Sequence, residues 1–371
     1  MLKGWLCMKT SILLIGGFLG AGKTTLLAEI AQRLQVKGEK VSIITNDQGS
    51  DLIDTEFLES KGLNATGITG GCFCCKFDDL LETITTVTRN QQPTWILAEA
   101  VGSCTDLVAT VIRPLKRLQS HNFRITPITI AVDPERAYLL LEDRNPFPYE
   151  IGYLFEQQIQ EAEIVLLNKT DRVSHELMEE VKKKIYRTNH KARFIRTSAI
   201  QGFGIDEWMN EVVHIEEASS ERVASLLDYD INATDETYIG RLNASIKLTP
   251  EEFFHLEEFV KMIGLELQAE FIRKGFEAAN VKLIGQNSYR VIKGSLTNSM
   301  KEWEWNGLDQ DFDFATKITL LINAHVLAQP VQLYETIISI VKKVSEQWNV
   351  NTLVDQLECF SPERPETVGT V

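Results

Sequence analysis

The sequence predicts an α/β chain, a mostly parallel sheet flanked by helices, followed by a smaller α+β domain. In the first half, short β-rich runs alternate with helix-length segments, the pattern of a parallel sheet covered by helices on both faces. Several of those runs are continuously apolar, as strands buried on both faces must be. After an acidic, polar stretch over residues 216–237 the alternation is replaced by strand, helix, hairpin, strand and helix, which reads as a small unit with an open sheet.

Taken in order, strands are expected over residues 11–15, 41–45, 94–98, 125–132, 163–167 and 193–197. Helices are expected over 24–37, 155–161 and 175–186. Beyond the acidic stretch, 238–248 reads as a strand. Thr249-Pro250-Glu251-Glu252 reads as a helix start with proline at its first position. The helical pattern runs to about 279 with a break near Gly264. A hairpin of 281–284 and 289–296 follows around Gly285-Gln286-Asn287, then a strand over 317–324 and a helix over 331–347. This gives a first domain over 1–215, a linker over 216–237, an α+β domain over 238–350 and a poorly ordered tail over 351–371.

With 52 acidic against 38 basic side chains the net charge is −14, so the chain has no global attraction for nucleic acid or anionic lipid. The apolar run over 12–19 is too short to span a bilayer and is broken by Gly16 and Gly17. No small-residue cleavage site follows it, so a cytoplasmic location is expected. Three of the six cysteines, Cys72, Cys74 and Cys75, fall within four residues. That is a poor disulfide framework and suits metal or redox chemistry in a reducing compartment.

Gly17-Phe18-Leu19-Gly20-Ala21-Gly22-Lys23-Thr24 fits Gly-x4-Gly-Lys-Thr between a strand and a helix, the P-loop arrangement. Its glycines let backbone N–H groups turn toward phosphate oxygens, and the following helix adds its positive end. Lys23 reaches β- and γ-phosphates, and the Thr24 hydroxyl can ligate Mg²⁺. The bland alternative is a glycine-rich turn without ligand. Asn168-Lys169-Thr170-Asp171 follows an apolar strand. A carboxylate at Asp171 can accept from both the ring N–H and the exocyclic amine of guanine, which adenine does not offer. Asn168 is expected on the other edge of the base, with the Lys169 stem over the ring. Thr197-Ser198-Ala199 closes the pocket with small residues. The first domain is therefore expected to be a P-loop NTPase that takes GTP.

Glu99-Ala100-Val101-Gly102 ends another strand. Its carboxylate can hold Mg²⁺ or a Mg²⁺-bound water, and the Gly102 N–H can sense a γ-phosphate; a buried loop acid is the alternative. Gly70-Gly71-Cys72-Phe73-Cys74-Cys75 offers thiolates suited to Zn²⁺ or Co²⁺, against a tight turn of small residues or a redox sensor.

These motifs, in this order, make the chain resemble the CobW-like metallochaperone GTPases, relatives of the nickel-insertion GTPases of urease and hydrogenase maturation. The resemblance runs from about Ser11 to Trp208 and includes Val132-Asp133 and Gln158-Ile159. It implies Lys23, Glu99 and Asp47 as the catalytic set. Gly17, Gly20, Ala21, Gly22, Lys23, Thr24 and Thr25 would hold phosphates, with Gly102 beside them, and Asn168, Lys169, Asp171, Ser198 and Ala199 the base. Thr24 and Glu99 would hold Mg²⁺, and Cys72, Cys74 and Cys75 a thiophilic ion. There are departures. Family members carry Asn-Glu-Phe-Gly-Glu where this chain has Asn46-Asp47-Gln48-Gly49-Ser50, and the histidine-rich stretch of many relatives is replaced by six scattered histidines.

The expected function is GTP-driven delivery of a metal to a client metalloprotein, with slow turnover and a dimer around nucleotide as one assembly. The alternative is a nucleotide-gated docking module for a cofactor protein, a corrinoid protein among the candidates, with structural or redox-active cysteines. The second domain is expected to bind the client. Trp303 and Trp305 are either a surface anchor or core packing.

Overall fold

A computed structural model describes residues 9–46, 53–69, 72–73, 76–119, 123–141, 149–214, 239–251, 255–286, 291–306 and 318–360. The chain separates into two compact units, with the division after Asp228.

The first unit runs β1 (Thr10–Gly16), α1 (Lys23–Val36), β2 (Val41–Asn46), α2 (Ile53–Ser60), β3 (Ala65–Ile68), α3 (Phe77–Gln91) and β4 (Trp95–Glu99). A π-helical turn (Val108–Ile112) leads into α4 (Arg113–Gln119). Then come β5 (Phe123–Ile125), β6 (Thr129–Val132), α5 (Pro134–Leu140), α6 (Tyr149–Glu161), β7 (Ile164–Leu167), α7 (His175–Thr188), β8 (Arg193–Arg196) and α8 (Ile205–His214). Among the described residues the sheet has eight strands in the order β3-β2-β4-β1-β6-β7-β8, with β5 also on β1. Every pairing is parallel. Strands β1, β2, β4, β6 and β7 are buried at every residue, as strands covered on both faces are, and apolar residues dominate them.

The single strand expected over 125–132 is two. Pro127 has no N–H to give, and the chain leaves the ladder around it. β5 pairs with the beginning of β1 (Thr10 opposite Phe123) and β6 with its end (Gly16 opposite Ile130). Because all strands point one way, the loops after β1, β2, β4, β6, β7 and β8 gather at one edge. β1 has β4 on one side and β6 on the other, so the loop after β1 opens into the crevice where the strand order reverses, the usual ligand site of such sheets.

The second unit runs β9 (Ile239–Pro250), α9 (Leu256–Lys274), β10 (Glu277–Gln286), β11 (Val291–Leu296), β12 (Glu304–Asn306), β13 (Ile318–Leu327), α10 (Pro330–Gln347) and β14 (Val350–Phe360). Its antiparallel sheet has the order β12-β11-β10-β13-β9-β14. One face carries the core: Leu242, Ala244, Ile246 and Leu248 of β9 pack with Phe259, Ile263, Leu267 and Phe271 of α9 and Leu333, Ile337 and Val344 of α10. Each such aliphatic or aromatic side chain contributes roughly 1.5–3 kcal/mol on burial.

Several expectations need correction here. Thr249 and Pro250 finish β9, opposite Asn351 and Val350, and start no helix. Gly264 does not break α9. A Cβ there would lie 3.1 Å from the rings of both Trp303 and Trp305, so the glycine makes room for that stacked pair, whose centroids are 5.3 Å apart. Trp303 is buried and Trp305 packs against the same core, which settles their role as packing. The tail expected from 351 is a strand through Phe360: β14 completes the sheet beside β9, and its register shift between Val354 and Gln356 breaks the alternation that a hydrophobicity reading looks for. The linker over 216–237 and residues 361–371 lie outside the described residues.

Candidate functional site

The loop after β1 is shaped by glycines at backbone angles other residues resist. Gly17, Gly20 and Gly22 have φ of 127°, 76° and 87°. A Cβ on Gly17 would fall 2.2 Å from the Ala131 carbonyl oxygen of β6, and one on Gly22 2.5 Å from the Asn168 amide nitrogen. The loop thus lies flat against β6 and against the start of the Asn168 loop. Gly22 is the left-handed residue from which α1 begins, so Lys23, Thr24 and Thr25 form its first turn. Arg136 of α5 fastens the loop from behind, donating to the Leu19 carbonyl at 3.0 Å with its guanidinium over the Phe18 ring.

Lys23 is buried and folds back on its own loop, donating to the Gly17 carbonyl at 2.9 Å and more weakly to that of Phe18 at 3.4 Å. Thr24 Oγ1 lies 3.1 Å from Glu99 Oε1 at the end of β4, and 3.1 Å from Asp54 Oδ1 in the first turn of α2. The sequence motifs pointed to Thr24 and Glu99 but not to Asp54. Its signal is an acid in the first turn of a short helix, which is ordinary at a helix start; only the fold brings it to Thr24. A hydroxyl between two carboxylates is an all-oxygen donor set, which fits a hard cation such as Mg²⁺.

The Asn168 side chain bonds protein groups through both its amide nitrogen and its oxygen. Its Nδ2 donates to the Ala21 carbonyl at 2.9 Å, and its Oδ1 accepts from Ala199 N–H at 3.1 Å and Thr197 Oγ1 at 3.2 Å. The residue therefore ties the P-loop to the Thr197–Ala199 turn. Lys169 has a left-handed backbone, φ 59°, and its ammonium sits 3.1 Å from Asp133. Asp133 also caps α5 through the N–H groups of Glu135 and Arg136. Burial opposes ionisation of Asp133, but the Lys169 ammonium, with Arg136 behind it, outweighs burial and holds the carboxyl below its usual range. The Lys169 stem is thereby fixed beside the pocket. Asp171 accepts from Ser198 Oγ at 2.5 Å, which orients one carboxylate oxygen.

After β4 the chain turns through Gly102, where a Cβ would meet Leu19 N at 2.9 Å, so this turn also lies on the P-loop. Asn46, at the end of β2, accepts from Phe73 N–H at 2.9 Å and donates to the Ile68 carbonyl at 3.3 Å, joining β2 and β3 to the cysteine segment. Cys72 is buried. Asp47, Cys74 and Cys75 lie outside the described residues. Among the described residues no group of three or more His, Cys, Asp and Glu side chains is placed to hold a metal ion. Among them, too, no helix is long and apolar enough to cross a membrane.

Comparison with known proteins agrees with this geometry. The model of the CobW/HypB/UreG nucleotide-binding domain matches residues 11–196. The zinc chaperone CobW of Sinorhizobium sp is 28% identical over 203 residues, which are 49% of this chain and 57% of that protein. The zinc-regulated GTPase metalloprotein activator 1 of Schizosaccharomyces pombe is 24% identical over 237 residues, 62% of this chain and 54% of that one. The chain thus spans about half the length of the curated relatives it matches. Among solved structures, that of Zn(II)-bound YjiA GTPase from E. coli aligns over 90% of this chain and 99% of its own, at 16% identity and a TM-score of 0.38. With the family model covering residues 11–196, from β1 through β8, this chain belongs to the CobW/HypB/UreG family of P-loop GTPases.

Proposed function

We propose that the protein hydrolyses GTP slowly and uses the change between its GTP and GDP states to hold and release a thiophilic divalent ion for a client metalloprotein in the cytoplasm. The GTP phosphates lie along the Gly17–Thr25 loop, with Lys23 exchanging its loop carbonyls for β- and γ-oxygens. The base lies against Asn168, Lys169 and Asp171, with Ser198 and Ala199 closing the pocket. Mg²⁺ is held by Thr24 and Glu99 with Asp54 beside them, and supplies charge neutralisation on the β- and γ-phosphates when bound. Asp47 is the further acid of the phosphate end.

The observation that carries this reading is the hydrogen bond from Phe73 N–H to the Asn46 side chain. It joins the cysteine segment to the end of β2, one of the strand ends gathered at the edge that carries the P-loop. A change at the γ-phosphate that moves the end of β2 would be passed through this bond to the segment of Cys72 and Phe73. Thiolates select a soft or borderline ion over Mg²⁺, and Zn²⁺ is preferred to Co²⁺ because the relatives named above are zinc chaperones or zinc-regulated. A client metalloprotein, recognised by the second unit, is the expected partner, and a second copy could share the nucleotide.

Competition against a chelating dye tests it. Zinc should bind about 5- to 150-fold more tightly with a slowly hydrolysed GTP analogue than with GDP, and zinc should raise analogue affinity by the same factor. Equal affinity in both states, or affinity that survives replacing Cys74 and Cys75 by serine, overturns the metal cargo and leaves the docking-module reading.

A further inference from the structure

One stripe of α6 touches both the P-loop, at Phe18, and the loop after β4. Phe155, Gln158 and Glu161 are spaced three apart and so share a helix face. Phe155 meets Phe18 of the P-loop edge to face at 6.3 Å. Gln158 is 1% exposed, and its Nε2 donates to two carbonyls of the turn after β4, Gly102 at 2.9 Å and Cys104 at 3.0 Å. Glu161 accepts from the N–H groups of Asp106 and Val108, at the far end of the same loop. The loop over 102–108 is therefore gripped at both ends by one rigid element, by its carbonyls at one end and its N–H groups at the other. The end of α6 is itself held, because Asn189 Nδ2 donates to the Ile159 and Ala162 carbonyls at 2.8 Å each.

Gln158 holds this loop in a way that packing alone does not explain. Both amide hydrogens are used on the loop, while Oε1 is buried without a hydrogen-bond partner among the described residues. An apolar side chain of similar length would fill the space without that unmet acceptor. What the amide adds is the orientation of the Gly102 peptide, which lies against Leu19 of the P-loop, where a γ-phosphate would be felt.

We infer that Gln158 is a positioning residue for GTP hydrolysis: by fixing the Gly102 and Cys104 carbonyls it aims the loop after β4 at the γ-phosphate, with Glu161 bracing the other end of that loop. Since α6 runs directly into β7 and the Asn168 loop, the same helix connects γ-phosphate sensing to the base pocket. This rests on the proposed GTPase reading for its substrate, not on the metal cargo.

The test uses the full chain with Gln158→Met, which keeps the length and removes both donors, and Glu161→Gln, which keeps an acceptor for the loop N–H groups. Gln158→Met should lower kcat for GTP about 10- to 100-fold with KM within about threefold, and should cut the preference for a slowly hydrolysed GTP analogue over GDP by at least about fivefold. GDP affinity and melting temperature should stay near wild type. Glu161→Gln should show the same split, more weakly. If Gln158→Met leaves both kcat and the analogue preference unchanged, or weakens GDP as much as the analogue, the inference is wrong. Should the wild-type chain not hydrolyse GTP, the GTPase reading fails, while a lowered analogue preference in Gln158→Met still upholds the clamp.

Discussion

The two sheets use buried polar side chains in opposite ways. In the first unit Thr24, Glu99, Asp133, Asn168, Lys169, Thr197 and Ser198 are buried at or just beyond the carboxyl ends of parallel strands, with their polar atoms turned toward one another across loops. In the second, Arg241, Asn243, Asn280, Lys293, Asn323 and His325 are buried in mid-strand. Arg241 and Asn243 alternate along β9 with Leu242 and Ala244 of the core, so they lie on the other face of the sheet. Asn323 and Asn243 stand opposite each other in register and are joined at 2.6 Å. A parallel sheet covered on both faces has room for chemistry only at its ends, whereas an antiparallel sheet with a core on one face can place polar groups along the other. Polar burial at strand ends is therefore read as a nucleotide site, and polar burial in mid-strand as architecture.

That contrast breaks first at Lys23. Lys23→Ala should remove at least about a hundredfold of GTP turnover, the scale of losing one transition-state donor, with little change in melting temperature. Phosphate release at saturating GTP measures it, and persistent turnover would mean that the strand-end cluster is structural. Next, Asp171→Asn should weaken GTP by more than about tenfold and favour xanthine nucleotides, because donor and acceptor are exchanged at one edge of the base. Calorimetry with both nucleotides decides it, and equal affinity of the wild type for ATP and GTP would refute the base pocket outright.

The second unit should answer differently. Asn323→Ala leaves the Asn243 oxygen without its donor and should cost about 1–3 kcal/mol of that unit's stability while leaving GDP affinity unchanged. A urea titration read alongside nucleotide binding separates the two effects. A loss of GDP affinity would show that the mid-strand amides reach the nucleotide site.

The smallest expected effect is on pH. Burial raises Asp106 to about 6 and, helped by the Asp106 charge, Glu161 to about 8. Folded-state carboxyls with raised values bind more protons than unfolded ones, so these two make the first unit less stable as pH rises from about 4.5 toward 8. Melting temperatures across that range should fall in wild type and fall less in Glu161→Gln. The Asp133–Lys169 pair has the opposite sign: its stabilisation is present above the ordinary carboxylate range and is lost only as pH falls below it.

What could be read from the sequence was chemistry concentrated in neighbouring residues. The glycines of 17–22, Lys23 and Thr24, and the Asn168–Asp171 run each carry their spacing with them, and the structure sets them at the ends of β1 and β7 as expected. Asp54 and Arg136 carry no such spacing. Each reaches the P-loop from a different helix, and only the parallel sheet brings those helices there. The short strand β3, with Gly67 inside it, has too little apolar patterning to announce itself, yet Asn46 uses it as an anchor for the cysteine segment. Gly264 misled because a glycine inside a helix usually weakens it, and here the missing side chain is replaced by two indole rings.

The pairing of β14 with β9 has a consequence for synthesis. The first unit holds all its described strands by Arg196, so its sheet can close while the ribosome is still at work on the second. β9, by contrast, emerges first in its unit and gains its outer neighbour last, with Arg241 opposite Phe360. At ordinary elongation rates that edge waits on the order of ten seconds. During that time it is a long row of unpaired amides, open to any extended segment nearby. A nascent chain stalled before Val350 would carry a finished nucleotide-binding unit joined to an adhesive one.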